Sequence, residues 1–224
     1  MGLESGDIGI EDTLYAYFSE ELKYINKLSY YLKLWIQSIR IRDIKAKTNM
    51  INAENKDIYV NFNYTGVLEN VYKIDKNDVI HIHGSLRKYD NDLVIGHGNY
   101  DKIEQIRKRI TKAEEIFDEK ETSICRALEN YYLKTYKDVN RYKYKLWNLI
   151  NKDIEEVIVI GHSVGEVDMP YFRDINVFSG KNAKWNVYYF SKNEKEIIYN
   201  NLRKCGVMKK QISMKKANEF YNII

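Results

Sequence analysis

The chain has few residues that stiffen or cross-link a backbone: one proline and two cysteines among 224 residues. The cysteines, Cys125 and Cys205, lie far apart in sequence and form no metal or redox motif, and a reducing compartment would keep both as thiols. No apolar run approaches the roughly 18 residues of a membrane span, and no charged start leads into an apolar secretory segment. These absences predict a cytoplasmic protein with no membrane partner.

A large excess of charge of one sign is also absent. The formal net charge is +4, and lysines alternate with aspartates and glutamates along most of the chain. A surface of mixed sign disfavours a basic face for nucleic acid. Hydrophobic residues make up 44% of the sequence, which is enough for a substantial core and excludes a disordered chain.

Hydrophobic periodicity divides the chain into helical and strand-forming segments. Apolar residues recur every three or four positions from Asp12 to about Arg42, which predicts an amphipathic helix with Asp12 or Thr13 as its N-cap. The predicted single domain at 1–224 comprises a helical region at 1–50, a sheet layer at 57–98 and 155–205, and a helical insertion at 100–152.

The strand-forming runs are short and β-branched, and they predict an α/β fold with a parallel sheet. Val157–Ile160 is almost continuously apolar, as is typical of a central strand buried on both faces. Ser191 and Glu194 predict a capping box for a helix that runs to about Cys205. The predicted strands span residues 57–62, 79–83, 93–95, 157–160 and 185–190, with a short helix at 65–72.

All four histidines follow apolar runs: His83, His97 and His162 stand directly beside a glycine, and His81 lies three residues before Gly84. The carboxyl ends of parallel strands meet at one edge of a sheet, where ligands bind in α/β folds. This distribution predicts that the histidines share one site.

His83 is the best-placed general base among them, because it stands at a strand exit and imidazole titrates near neutral pH. Asn63 leaves the preceding strand, and its amide could orient a water molecule or a ribose hydroxyl. The alternative for Asn63 is a side chain that caps the following turn. His81, deeper in its strand, is interpreted as a hydrogen-bonded structural residue.

Two other chemistries fit parts of the pattern. The segment Gly161-His162-Ser163-Val164-Gly165 matches the nucleophile elbow of α/β-hydrolases, but no histidine follows His162 to complete that fold's chain order. His81 and His83 could chelate a metal ion with His97 or His162, although no clear carboxylate or cysteine accompanies them.

The residues after the glycine-rich segment predict another helix. Pro170 suits the first turn of a helix that is capped by Asp168. Ser163 with Glu166 is the alternative cap, and it would make the serine structural rather than nucleophilic.

Several of these segments, in this order, resemble the AbiH bacteriophage abortive-infection family. They cover about a third of the chain, and the last motif is the most specific. The closing strand Val187–Phe190 fits the same layout. The motifs are Asn61-Phe-Asn-Tyr-Thr-Gly-Val-Leu-Glu69, His81-Ile-His-Gly-Ser85, Ile95-Gly-His-Gly98 and Gly161-His-Ser-Val-Gly-Glu-Val-Asp-Met-Pro-Tyr-Phe172.

AbiH proteins are in turn similar to sirtuin-like NAD-binding folds, so the resemblance implies a Rossmann-like parallel sheet with NAD as cofactor or substrate. It implies catalytic roles for His83 and Asn63 on the nicotinamide ribose. Thr65 stands where many sirtuin-like relatives have aspartate. The residues implied to bind the nucleotide are Tyr64, Thr65, Gly84, Gly161, Ser163 and Asp168.

The resemblance implies cleavage of the N-glycosidic bond of NAD, with cell growth stopped before the phage matures. The alternatives are a non-catalytic protein that senses a phage component, or that forms a homo-oligomer, and a serine hydrolase that uses Ser163. Family members usually open with an apolar strand and a glycine-rich phosphate loop. This chain opens instead with Met1-Gly-Leu-Glu4, so we expect the first strand and the phosphate loop to be missing.

Overall fold

Residues 4–87, 93–150 and 153–221 are described by the computed structural model of this protein. They fall into two units. The first unit comprises Met1–Ile36 and Val94–Lys137, and the second comprises Gln37–Leu93 and Asp138–Ile224. The single-domain organisation inferred from the sequence stays a prediction.

Helices and parallel strands account for most of the described residues, and a 3₁₀ segment spans Val139–Leu149. The helices are α1 (Glu4–Ser38), α2 (Val67–Asn70), α3 (Tyr100–Glu115), α4 (Glu119–Thr135), α5 (Met169–Ser179) and α6 (Lys192–Lys204). The strands are β1 (Tyr59–Asn61), β2 (Val79–His81), β3 (Glu156–Ile160), β4 (Lys184–Tyr189) and β5 (Ile212–Lys216).

The first unit is helical. The predicted N-cap of α1 at Asp12 or Thr13 is wrong, because the helix begins at Glu4 and contains Gly6 and Gly9. Each internal glycine lowers helix stability by only about 1 kcal/mol, which a helix of 35 residues can tolerate. The glycines therefore lie in a helix rather than in a phosphate-binding loop.

α3 and α4 form a helical hairpin within this unit. Asn99 caps α3 and Asp118 caps α4 through side-chain oxygens that accept backbone N–H groups. Ion pairs join the two helices on their exposed sides, including Arg126 to Glu114 at 2.8 Å. The predicted strand at 93–95 is wrong: these residues form no strand, and the nearest pairing is a single bridge between His97 and Tyr136.

The second unit contains two parallel sheets. β1 pairs with β2, while β3, β4 and β5 form a three-stranded sheet in that order. The parallel α/β class is therefore confirmed, and it is consistent with a Rossmann-like fold. The prediction that β3 is central is wrong: β4 holds that position in the described sheet, and Ile158 of β3 is 42% exposed.

One apolar core underlies both sheets of the second unit. Trp185 and Val187 of β4 are fully buried in it, together with Ile82 after β2 and Ile198 of α6. The capping box at Ser191 and Glu194 and the helix after Asp168 are confirmed. None of the helices in the described residues combines the length and apolar character that a bilayer span requires.

Candidate functional site

The site forms where the chain leaves β1, β2 and β3. Gly84, at φ +83°, turns the chain after β2, and its N–H donates to the carbonyl of His81. Gly161, at φ +64°, makes the corresponding turn after β3 and directs the chain into His162. Both backbone conformations are favourable for glycine and strained for residues with a side chain. The two turns are therefore a local reason why glycine stands beside these histidines.

Asp168 is the centre of the site. Nε2 of His83 lies 3.1 Å from Oδ1 of Asp168, and Nε2 of His162 lies 3.3 Å from Oδ2. Asp168 occupies the N-cap position of α5, but its side chain makes no capping bond there. The carboxylate interacts with the two imidazoles instead. We refer to His83, His162 and Asp168 as the histidine–aspartate cluster.

The hydrogen bonds fix the tautomer of His162. The backbone N–H of Val164 donates to Nδ1 of His162 at 2.9 Å, so this nitrogen carries the lone pair. Nε2 therefore carries the proton and faces Oδ2 of Asp168. Nε2 of His83 likewise faces a carboxylate oxygen, and Nδ1 of the same ring is buried.

Aromatic rings enclose the cluster. The ring centroid of Phe62 lies 4.2 Å from that of His162 and 5.5 Å from that of His83. Phe62 also stacks on Phe172 of α5 at 5.4 Å, with the ring planes 10° apart. The His83 side chain is buried, while His162 and Asp168 retain some exposure. The cluster thus lies at the edge of the core, beside an apolar wall and open to solvent on one side.

The charge of Asp168 affects the pKa values of two tyrosines, Tyr64 and Tyr171. Burial raises the pKa of Tyr64, and the negative charge of Asp168 raises it further. The pKa of Tyr171 is raised by the same two causes in the same order, and this phenolic oxygen is buried with no hydrogen-bond partner among the described residues. Both phenols therefore remain neutral well above physiological pH and stand close to the carboxylate.

Asn63 is held through its backbone. Its N–H donates to Oδ1 of Asn61 at 2.9 Å, and its carbonyl lies 3.2 Å from Nδ1 of His81. The Asn61 amide in turn donates to the carbonyl of Thr65. These bonds shape the loop after β1 and leave the Asn63 side chain exposed at its surface.

His81 belongs to a different network, which contradicts the prediction of one site for all four histidines. Nε2 of His81 lies 2.8 Å from Oε1 of Glu69, and Arg87 binds the same oxygen. The structural role predicted for His81 is consistent with its full burial. Glu69 lies in α2, between β1 and β2 in the chain, and its pairing with His81 is not predictable from the sequence pattern.

The alternative of a metal ion chelated by His81 and His83 does not fit the geometry. β2 ends at His81, and the two imidazoles bind different carboxylates, Glu69 and Asp168. His97 lies in the first unit, where Nδ1 accepts the N–H of Asn99 and Nε2 lies 3.0 Å from the hydroxyl of Thr135.

Ser163 lacks the positioned base that a nucleophilic serine needs. Its side chain is exposed, and within the described residues no hydrogen bond joins its hydroxyl to a histidine. Nδ1 of the adjacent His162 is already occupied by the N–H of Val164. A serine without a positioned base is a poor nucleophile at neutral pH. The alternative capping role is not observed either, because α5 begins after Asp168.

Residues 7–189 match the family model described as "Bacteriophage abortive infection AbiH". This range includes β1 to β4, both turns and the whole histidine–aspartate cluster. No curated protein matches the chain, and no solved structure matches it.

Proposed function

Because this chain belongs to the AbiH family of bacteriophage abortive-infection proteins, we propose that it hydrolyses the N-glycosidic bond of NAD at the histidine–aspartate cluster. The observation that carries the proposal is the position of Asp168 between His83 and His162. A carboxylate that receives an imidazole N–H raises the basicity of the opposite ring nitrogen and stabilises the imidazolium that forms.

In the proposed reaction, a water oxygen attacks C1′ of the nicotinamide ribose. The bond from C1′ to the pyridinium nitrogen breaks, and its electron pair leaves with neutral nicotinamide. His83 takes the proton of the water, and Asp168 stabilises the resulting positive charge. The exposed amide of Asn63 orients the water or a ribose hydroxyl. The products are nicotinamide, ADP-ribose and a proton.

The residues of the site fit the nicotinamide half of this substrate. Phe62, which is only partly buried, supplies an apolar surface against which a planar pyridine ring can pack. Ser163 and Gly161 are exposed beside it and can approach the ribose. No residues are assigned to bind the pyrophosphate of NAD. Gly6 and Gly9 lie inside α1 and therefore do not form a phosphate-binding loop. The proposal therefore concerns the nicotinamide ribose end of the substrate.

The direct test is release of nicotinamide from NAD by the purified protein, followed by chromatography. We expect His83→Ala to reduce the rate by about 100-fold or more, the usual contribution of a general base. His97→Gln is the matched control, since it alters a histidine that also stands beside glycine but lies in the first unit. Equal rates in wild type and His83→Ala would overturn the proposed role.

A non-catalytic role is the second candidate, in which the fold recognises a phage component. The same preparation separates the two, because a recognition protein releases no nicotinamide. Its protection of infected cells would also survive His83→Ala, provided that the variant keeps the wild-type unfolding midpoint.

A further inference from the structure

Helix α1 carries a row of large apolar side chains that solvent reaches. Tyr17, Tyr24, Leu28, Tyr31 and Trp35 are between 55% and 64% exposed. We refer to these five residues as the aromatic seam. Exposed apolar residues scattered singly are normal in proteins, whereas a contiguous row marks an interaction surface.

The spacing of the aromatic seam is that of a coiled coil. Its members are separated by seven, four, three and four residues, and Glu21 fills the position between Tyr17 and Tyr24. This is the alternation of heptad positions d and a. At 100° per residue, the five side chains project within an arc of about 60° along about 27 Å of helix. A row this narrow and straight fits the surface of one partner helix.

The aromatic seam also borders a groove of the first unit. A cavity of about 560 Å³ lies between α1 and α4, lined by Glu21, Tyr24, Lys27, Leu28, Tyr31 and Tyr131. A second cavity of about 380 Å³ continues past Leu28 toward Tyr132 and Thr135. The face is therefore concave along part of its length, as a surface that receives side chains from another helix should be.

We propose that α1 pairs with the α1 of a second copy of this chain through the aromatic seam. A second copy presents the same heptad spacing, so that both sides of the interface match without any further partner. The exposed seam amounts to roughly 600 Å² per copy, given the areas of aromatic side chains. With its flanking residues, this approaches the roughly 800 Å² per partner of a standard stable interface.

The charge of Glu21 selects an antiparallel arrangement. In a parallel pair, Glu21 would face Glu21 of the second copy in the interface, where like charges repel. In an antiparallel pair, a positions face d positions, so Glu21 lies opposite Tyr31 and accepts its phenolic proton in a hydrogen bond. Tyr24 then lies opposite Leu28, and Tyr17 opposite Trp35. This pairing is independent of any NAD chemistry in the second unit.

Sedimentation equilibrium of the full chain tests the pairing. We expect wild-type protein to reach the mass of a dimer at micromolar concentrations, and Tyr31→Glu to weaken dimerisation by about 30-fold or more. Tyr30→Glu is the matched control, since Tyr30 is the adjacent tyrosine, is 59% exposed and lies off the seam. A wild-type monomer at 100-fold higher concentration would overturn the proposal, as would equal dimerisation of both variants.

Disulfide cross-linking tests the orientation. An equimolar mixture of Tyr24→Cys and Leu28→Cys proteins should form mixed dimers under oxidation, because these positions face each other only in the antiparallel pair. The native cysteines, Cys125 and Cys205, are buried and should contribute little background. If Leu28→Cys alone cross-links efficiently and the mixture gives no excess of mixed dimers, the antiparallel pairing is excluded.

Discussion

Nε2 of His83 lies 3.1 Å from Oδ1 of Asp168, although Asp168 stands where a helix-capping aspartate would bind its own helix. An aspartate at an N-cap position normally satisfies a free N–H of the first helical turn. Here the carboxylate faces away from α5 and toward the exits of two parallel strands. The dipole of α5 still stabilises its negative charge.

Replacing Asp168 by asparagine should reduce nicotinamide release by about 100-fold or more, because the imidazolium of His83 loses its counter-charge. The same change should lower the pKa of Tyr64, since the charge of Asp168 is, after burial, the second cause that raises it. Initial rates and an absorbance titration of the phenols measure the two effects. Asp174→Asn, on the same helix and paired with Lys143, should change neither quantity.

Replacing Glu69 by glutamine should lower the free energy of unfolding by about 3 kcal/mol. The Glu69 carboxylate contacts both Nε2 of His81 and the guanidinium of Arg87 through Oε1. The neutral amide would remove the charge that Arg87 pairs with. Urea denaturation measures the loss. Glu166→Gln, at an exposed glutamate, should shift the value by less than about 0.5 kcal/mol.

Replacing Tyr171 by phenylalanine should leave stability at pH 7 unchanged or raise it by about 1 kcal/mol, because a buried hydroxyl without a partner is removed. The gain in stability of Tyr171→Phe over the wild type should increase at alkaline pH. Tyrosine in the unfolded chain ionises near its ordinary pKa of about 10, whereas burial raises the pKa of Tyr171 in the folded protein.

Above about pH 10 the unfolded chain therefore loses a proton that folded Tyr171 keeps, and wild-type stability falls as the pH rises. Urea unfolding from pH 8 to pH 11 should show a decline that is shallower in Tyr171→Phe, by up to about 1.4 kcal/mol per pH unit. Parallel declines in the two proteins would show that Tyr171 ionises equally in both states.

Replacing Phe117 by glycine should raise the free energy of unfolding by about 1 kcal/mol. Phe117 follows α3 at φ +57°, and its side chain is 90% exposed, so the substitution relieves backbone strain and loses little packing. Calorimetry should show an increase in Tm of about 3 °C for a chain of this size. Ile116→Gly, at φ −105°, relieves no such strain and should not raise Tm.

The local parts of the fold could be predicted from the sequence. The capping box at Ser191, the helix after Pro170 and the strands that contain Val60 and Val187 each depend on neighbouring residues. The central position of β4 could not be predicted from the sequence. The β3 segment Val157–Ile160 is as apolar as an interior strand, although β3 lies at an edge of the described sheet. β5 was missed because Ile212–Lys216 is too polar to stand out as a strand.

The sequence could predict only which residues of the site follow the ends of strands. The glycines beside His83 and His162 correctly marked two turns that converge on Asp168. The strand-exit position of His81 and the glycines beside His97 are misleading, because these imidazoles have structural partners, Glu69 and Thr135. The partner of each imidazole depends on contacts between residues distant in sequence, such as His83 and Asp168, and periodicity carries no information on these.

The most direct measurement is the NAD content of bacteria that express this protein, followed through phage infection. NAD hydrolysis at the histidine–aspartate cluster predicts that NAD falls after infection in cells with the wild-type protein and stays constant in cells with His83→Ala. Immunoblotting should confirm equal amounts of the two proteins. A constant NAD content in infected wild-type cells, or the same fall with His83→Ala, would contradict it.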